Sequence, residues 1–189
     1  MITMEKYIEN IAKKILEVAE KENQALMTIA KSGVNSKIGI FHMPELAFAY
    51  ECGKQIMQNS NEIFGDNIPE WCRELDLGNG GPTDLVFSFD DGQKIAIEFK
   101  MRDTGDAYHN DLLKLSDIED FKVTKIFCAI IDTFEKDLAS DGRVTKINDF
   151  SENDFKVKSV GDLKSFKTNQ TWYISNVSAL VGIWVLGNL

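Results

Sequence analysis

Residues 80–102, GGPTDLVFSFDDGQKIAIEFKMR, restrict the folds open to this chain more than any other stretch. Two β-rich runs, from Asp84 to Phe89 and from Lys94 to Lys100, flank Asp90-Asp91-Gly92. An Asp-Gly pair between such runs predicts an antiparallel hairpin, because glycine accepts the positive φ of a tight turn. Side chains alternate faces along a strand. Ile95, Ile97 and Phe99 therefore point one way, and Ala96, Glu98 and Lys100 the other. Leu85, Phe87 and Phe89 take one side of the first strand, with Asp84, Val86 and Ser88 opposite. Two carboxylates and a lysine thus share the polar face of a hairpin whose other face is apolar.

The elements around the hairpin follow from periodicity. Met4, Ile8, Ile11, Ile15, Val18, Leu26 and Ile29 recur at helical spacing, so residues 4–31 are expected to form a helix that Ser32-Gly33 ends. Glu22 interrupts its apolar face and allows a break there. A helix of this kind serves packing or dimerisation. A connector over 34–41 leads to a second helix, 43–59, with Pro44 in the first turn, where a missing N–H costs nothing. Its expected buried stripe is Leu46, Ala49, Tyr50, Gly53, Ile56 and Met57. Glu45 stands in the first turn, where a carboxylate complements the helix dipole by a few tenths to about 1 kcal/mol. A strand is expected at 71–77, a third helix at 107–120 with Leu112, Leu113, Leu115 and Ile118 on its apolar side, and a doubly buried strand at 125–131. Residues 133–154 are polar and turn-rich, and strands are expected at 171–174 and 180–186.

Composition narrows the partners. The chain has 189 residues, enough for one domain with a real core and too few for two comfortable ones. A formal net charge of −9 weighs against nucleic acid, whose non-specific affinity comes mostly from Lys and Arg on phosphates. A local basic groove, or divalent metals offsetting active-site carboxylates, would remove that objection. Cys52, Cys72 and Cys128 are odd in number and form no CxxC pair, which suits a reducing compartment and offers no zinc framework. No signal peptide opens the chain, and the apolar run at 177–186 is shorter than a membrane span and broken by Gly182. A cytoplasmic protein with no membrane partner is the expectation.

The hairpin resembles the PD-(D/E)xK nuclease superfamily, which has an Asp at the start of one strand and Glu-x-Lys on the next. Pro82-Thr83-Asp84 stands where Pro-Asp is usual, with one residue interposed, and Glu98-Phe99-Lys100 keeps the second half. The resemblance implies an α/β fold with a restriction endonuclease-like core, a central mixed sheet flanked by helices, covering residues 43–132. Residues 1–33 would be an N-terminal helical extension and 133–189 a C-terminal extension of the same single domain. It also implies that Asp84, Glu98 and the carbonyl of Phe99 hold Mg²⁺, with Mn²⁺ as a substitute. Lys100 would position and activate the attacking water, and Glu45 would reach toward the metal from the preceding helix, in preference to Glu51. Removing Asp84 should then stabilise the metal-free protein by relieving charge repulsion.

Those implications yield a metal-dependent DNA endonuclease of restriction or defence type, working as a homodimer. Lys114, Lys156, Lys158, Lys164 and Lys167 are the expected phosphate contacts, the last four interleaved with Phe155 and Phe166. Asp111 accompanies Lys114 on the third helix, where both are also read as residues flanking the leucines. A charge run is usually a solvated face. His42 and His109 lack paired spacing, so solvated or hydrogen-bonded roles are expected. The second functional class is a non-catalytic interaction protein that keeps the fold, with Glu98 and Lys100 as an exposed same-face ion pair worth about 0–1 kcal/mol.

Overall fold

A computed structural model describes residues 2–31, 39–170 and 174–188. The expected Ser32-Gly33 stop, residues 34–38 of the connector and 171–173 of the expected 171–174 strand lie outside them. The chain begins with α1 (Met4–Lys31), which runs through Glu22 without a break and buries Tyr7, Ile11, Ile15 and Val18 along one stripe. A 3₁₀ turn at Gly39–His42 precedes α2 (Glu45–Gln58) and α3 (Ser60–Phe64). Three strands follow, β1 (Glu70–Asp76), β2 (Pro82–Ser88) and β3 (Lys94–Met101), and then α4 (Gly105–Ser116) and β4 (Val123–Phe134). The remainder holds α5 (Gly142–Asn148), β5 (Ser151–Glu152), β6 (Phe155–Ser159), β7 (Lys164–Lys167) and β8 (Val177–Asn188).

All eight strands join one mixed sheet in the order β1-β2-β3-β4-β8-β6-β5, with β7 alongside β8. Among the described strands only β3 and β4 are parallel, joined by a crossover through α4. The expected hairpin is present: Leu85 pairs with Ile97 and Ser88 with Lys94. Gly92 turns the chain at φ 81°, its N–H returning to the Phe89 carbonyl at 3.0 Å. That left-handed residue after Asp90-Asp91 matches the right-handed twist of the two strands. β2 stops at Ser88, one residue short of the expected run to Phe89, because Phe89 spends its N–H and carbonyl on closing the turn. β8 lies inside the sheet, paired with β4 from Lys125↔Leu186 to Phe134↔Val177. The C-terminal segment thus supplies an inner strand, and β4 is buried on both faces as its apolar run predicts.

Alternation divides the core. Leu85, Phe87, Ile95, Ile97 and Phe99 pack against α1, α2 and α3. Ala96, Phe127 and Trp184 pack on the other face against Tyr108, Leu112 and Leu115 of α4. Three expectations about the helices need correcting. Phe48, Ala49, Cys52, Gly53 and Ile56 form the buried stripe of α2, while Leu46 and Tyr50 are 44 % and 45 % exposed. Gly53 sets this rotation: a Cβ there would lie 2.4 Å from the Trp71 ring, so the helix approaches the sheet through its glycine. Pro44 is the residue before the first turn, and Glu45, one turn ahead of Phe48 and Ala49, lies on the stripe itself. The helix expected at 107–120 is α4, which ends at Ser116 and leaves Ile118 buried in the following loop. Among the described residues, no helix is long and apolar enough to cross a membrane.

Candidate active site

The sheet forks at Asp84. Extending the β2–β3 register past Leu85↔Ile97 sets Asp84 opposite Glu98 and Thr83 opposite Phe99, but the paired residues end there. Beyond that point β2 stays with β1, through Leu75↔Thr83 and Asp76↔Pro82. β3 meanwhile stays with β4, through Glu98↔Phe127 and Lys100↔Ala129. The Asp84 carboxylate occupies the gap, its Oδ2 accepting the Phe99 N–H at 2.8 Å. Asp84, Glu98 and Lys100 all belong to the face that α4 covers, as even positions of the hairpin. Glu98 is 2 % exposed, which overturns the picture of an exposed surface pair.

Helix α4 brings two further charges. Lys114 Nζ lies 2.6 Å from Glu98 Oε1 and also donates to the Pro82 carbonyl, so it touches both prongs of the fork. Lys100 Nζ lies 3.0 Å from Asp111 Oδ2 and 3.5 Å from Glu45 Oε1. Among the described residues neither Glu98 Oε1 nor Asp111 Oδ2 has a directed hydrogen bond, so both contacts are ion pairs. Glu45 comes from α2 on the opposite layer and rounds the end of β3, its Oε2 accepting the Met101 N–H at 2.7 Å. Glu51 instead pairs with Lys54 and Gln55 and takes no part. Sequence alone offered Lys114 as a phosphate contact and read it and Asp111 otherwise as residues flanking the leucines. Their signal is position: they frame the buried Leu112 and Leu115, on the helix face that meets β3.

Electrostatics follow from this crowding. Burial, with Asp84 adding repulsion, raises the Glu98 carboxyl to about 8 against the pull of Lys114. Burial likewise raises Glu45 and Asp111. For Lys100, burial works downward, but Asp111 and Glu45 outweigh it and the net shift is upward. Lys100 is therefore a standing cation that can orient a water and stabilise negative charge; it is no proton acceptor. With all four carboxylates ionised, Glu45, Asp84, Glu98 and Asp111 against Lys100 and Lys114 leave an excess of two negative charges at the fork, and the proton that Glu98 holds below about pH 8 lowers it to one.

That excess, and the hard oxygen donors Asp84 and Glu98, fit a Mg²⁺-type cation, which takes one or two carboxylates and keeps several waters. Glu98 Oε1 is buried without a directed partner, the kind of atom an ion would satisfy. No group of three or more His, Cys, Asp or Glu side chains among the described residues is arranged to hold a metal. Any ion here rests on two carboxylates and backbone oxygen. Phe99, the proposed carbonyl donor, turns its ring away to meet Phe48 edge-on at 5.6 Å.

Of the expected phosphate-contacting lysines, Lys114 stands at the fork and the other four do not gather there. Exposed Lys156 and Lys158 lie on β6, and Lys164 and Lys167 on β7, with β4 and β8 between them and β3. The partners of Lys158 and Lys164, Val185 and Val181, continue across β4 to Ile126 and Ile130 of the α1-side core, so these lysines face the other layer. Lys167 lies 3.9 Å from Glu135. The interleaved aromatics are occupied: the Phe155 ring covers Lys125, and Phe166 packs on the core. His42 is exposed, and the ring of His109 lies 5.5 Å from that of Phe150.

The Asp84 contact reverses one expectation. Asp84→Ala leaves the buried Phe99 N–H without an acceptor and is expected to cost about 1–3 kcal/mol. Asp84→Asn keeps an acceptor oxygen, removes the repulsion on Glu98, and is expected to be at least as stable as the native chain without metal. Urea midpoints in EDTA check both. Comparison of the chain with protein-family models, with curated proteins and with solved structures returned no match.

Proposed function

We propose that the chain is a metal-dependent phosphodiester hydrolase acting on DNA, an endonuclease of restriction or defence type built on a restriction endonuclease-like core. One observation carries this reading. A mixed sheet opens between Asp84 and Glu98, on the strand pair and face where the Asp…Glu-x-Lys pattern puts its chemistry, and Lys100 follows on the same face. The arrangement of α2, β1–β3, α4 and parallel β4 supports the core assignment.

Asp84 and Glu98 would hold Mg²⁺, or Mn²⁺ in its place, with the Phe99 carbonyl. The bound cation would supply Lewis-acid polarisation of the phosphoryl oxygen and a more acidic water. Asp84 also fixes the mouth of the fork through the Phe99 amide. Lys100, charged and braced between Asp111 and Glu45, directs its N–H groups at the nucleophile or the phosphate oxygens. Glu45 acts through Lys100 and the Met101 amide, as a positioning residue.

A second reading, an interaction protein that keeps the fold without catalysis, is favoured by the net charge of −9 and by Lys114 seated on Glu98. DNA is the proposed substrate and a homodimer the proposed assembly. The α1 stripe is already spent on the core that α2, α3 and the sheet share, so the proposed dimer would use another surface. Purified protein is expected to nick or cut plasmid DNA with Mg²⁺ or Mn²⁺ and to stop in EDTA. Absence of cleavage on duplex DNA, single-stranded DNA and RNA across both metals establishes the second reading instead.

A further inference from the structure

We propose that Lys114 is a displaceable internal counter-ion: its ammonium and a divalent cation occupy Glu98 in turn, and seating one excludes the other. This rests on the metal site proposed above. Lys114 Nζ is 2.6 Å from Glu98 Oε1 and donates to the Pro82 carbonyl, bridging the prongs of the fork where the strands part. Among the described residues Glu98 Oε1 has no hydrogen-bond partner of good geometry. The stem of the lysine passes Gly81, whose missing side chain leaves the Lys114 Cε 3.9 Å from the position of a Cβ. Asn79, 4 % exposed, donates to the Lys114 carbonyl at 2.9 Å and ties the Gly-rich turn to α4. The backbone of Lys114 is thereby anchored while its side chain, partly open to solvent, is held at its tip alone.

A lysine so placed has two uses. In the metal-free chain it compensates the Glu98 carboxylate whenever that buried group ionises beside Asp84. Once displaced, its charge is released at the lip of the fork, where an anionic backbone approaches. Lys100 does not share this role, because its partners are Asp111 and Glu45.

Mn²⁺ binding to the full chain, followed by electron paramagnetic resonance of the free ion, separates the possibilities. Lys114→Met removes the competing charge and is expected to tighten Mn²⁺ binding about tenfold or more. Lys114→Arg keeps the charge and is expected to bind as the native chain does. Lys114→Gln retains a donor for the Pro82 carbonyl and serves should the Met variant misfold. Binding seen only after the lysine is neutralised also supports displacement. Native binding that Lys114→Met and Lys114→Gln leave unchanged or weaken overturns the proposal while the metal site stands. Equal tightening by Lys114→Arg overturns it too, by showing a packing effect. No Mn²⁺ binding in any variant removes the metal site, and the proposal with it.

Discussion

Glu98→Gln is expected to raise stability above neutral pH and to flatten its pH dependence. The native Glu98 carboxyl is pushed up to about 8, first by burial and then by Asp84, from an ordinary glutamate value of 4.5. Between those values the folded chain binds a proton that the unfolded chain has released, so stability falls as pH rises. The contribution is fully present below about pH 4.5 and is lost as pH passes about 8. It amounts to at most about 5 kcal/mol, since each tenfold change in proton affinity is worth about 1.36 kcal/mol. Gln has nearly the same shape and no charge to desolvate. Glu45 and Asp111 are also raised and add slope of the same sign, but they do so in both proteins. Urea unfolding in EDTA from acid to alkaline pH isolates Glu98 as the difference between the two curves. Parallel curves would show Glu98 ionised throughout and remove the electrostatic account of the fork.

An acid that lowers stability at neutral pH, where an amide would restore it, is what a site kept for chemistry looks like. Its neighbours share the pattern. Asp84 replaces a backbone ladder bond with a carboxylate. Glu45 and Asp111 are both held partly buried against one lysine. Local rules broken together, around one end of one strand, argue for function more strongly than any one of them does alone.

Much of this arrangement was legible in residues 80–102. Alternation along Leu85–Phe89 and Ile95–Phe99 assigned the apolar face, and with it the face of Asp84, Glu98 and Lys100. The unbroken apolar run at 125–131 assigned an inner strand. Long-range register was not legible. Nothing local says that β2 joins β3 only from Leu85 onward, or that β8 returns to lie between β4 and β6. The rotation of α2 was misread because Leu46 and Tyr50 are as apolar as Phe48 and Cys52. Close approach at Gly53 decides between those two stripes, and it depends on where Trp71 lies. The lysines at 156–167 looked like one cluster because sequence distance hides strand order. Pairing along successive halves of β8 spreads them over two strands.

Lys100→Ala is expected to lower DNA cleavage by about 10²–10³-fold, the scale of losing one preorganised charge at the reacting centre. Mn²⁺ binding should survive, since Asp84 and Glu98 are untouched. The fold should survive as well, because Lys100 is half-buried and packs in neither core cluster. The loss should appear in kcat more than in KM, for the ammonium acts on charge that develops during the reaction. Lys100→Arg, which keeps the cation but changes its reach, should recover part of the rate. Because the two carboxylates outweigh burial and leave Lys100 with a raised pKa, its protonation should put no step in the pH–rate profile near neutrality. An interaction protein would show no cleavage in either form, and its Lys100→Ala variant would bind its partner as the native chain does. Cleavage that survives Lys100→Ala undiminished would point to a contaminating nuclease and count against the assignment of the fork as the active site.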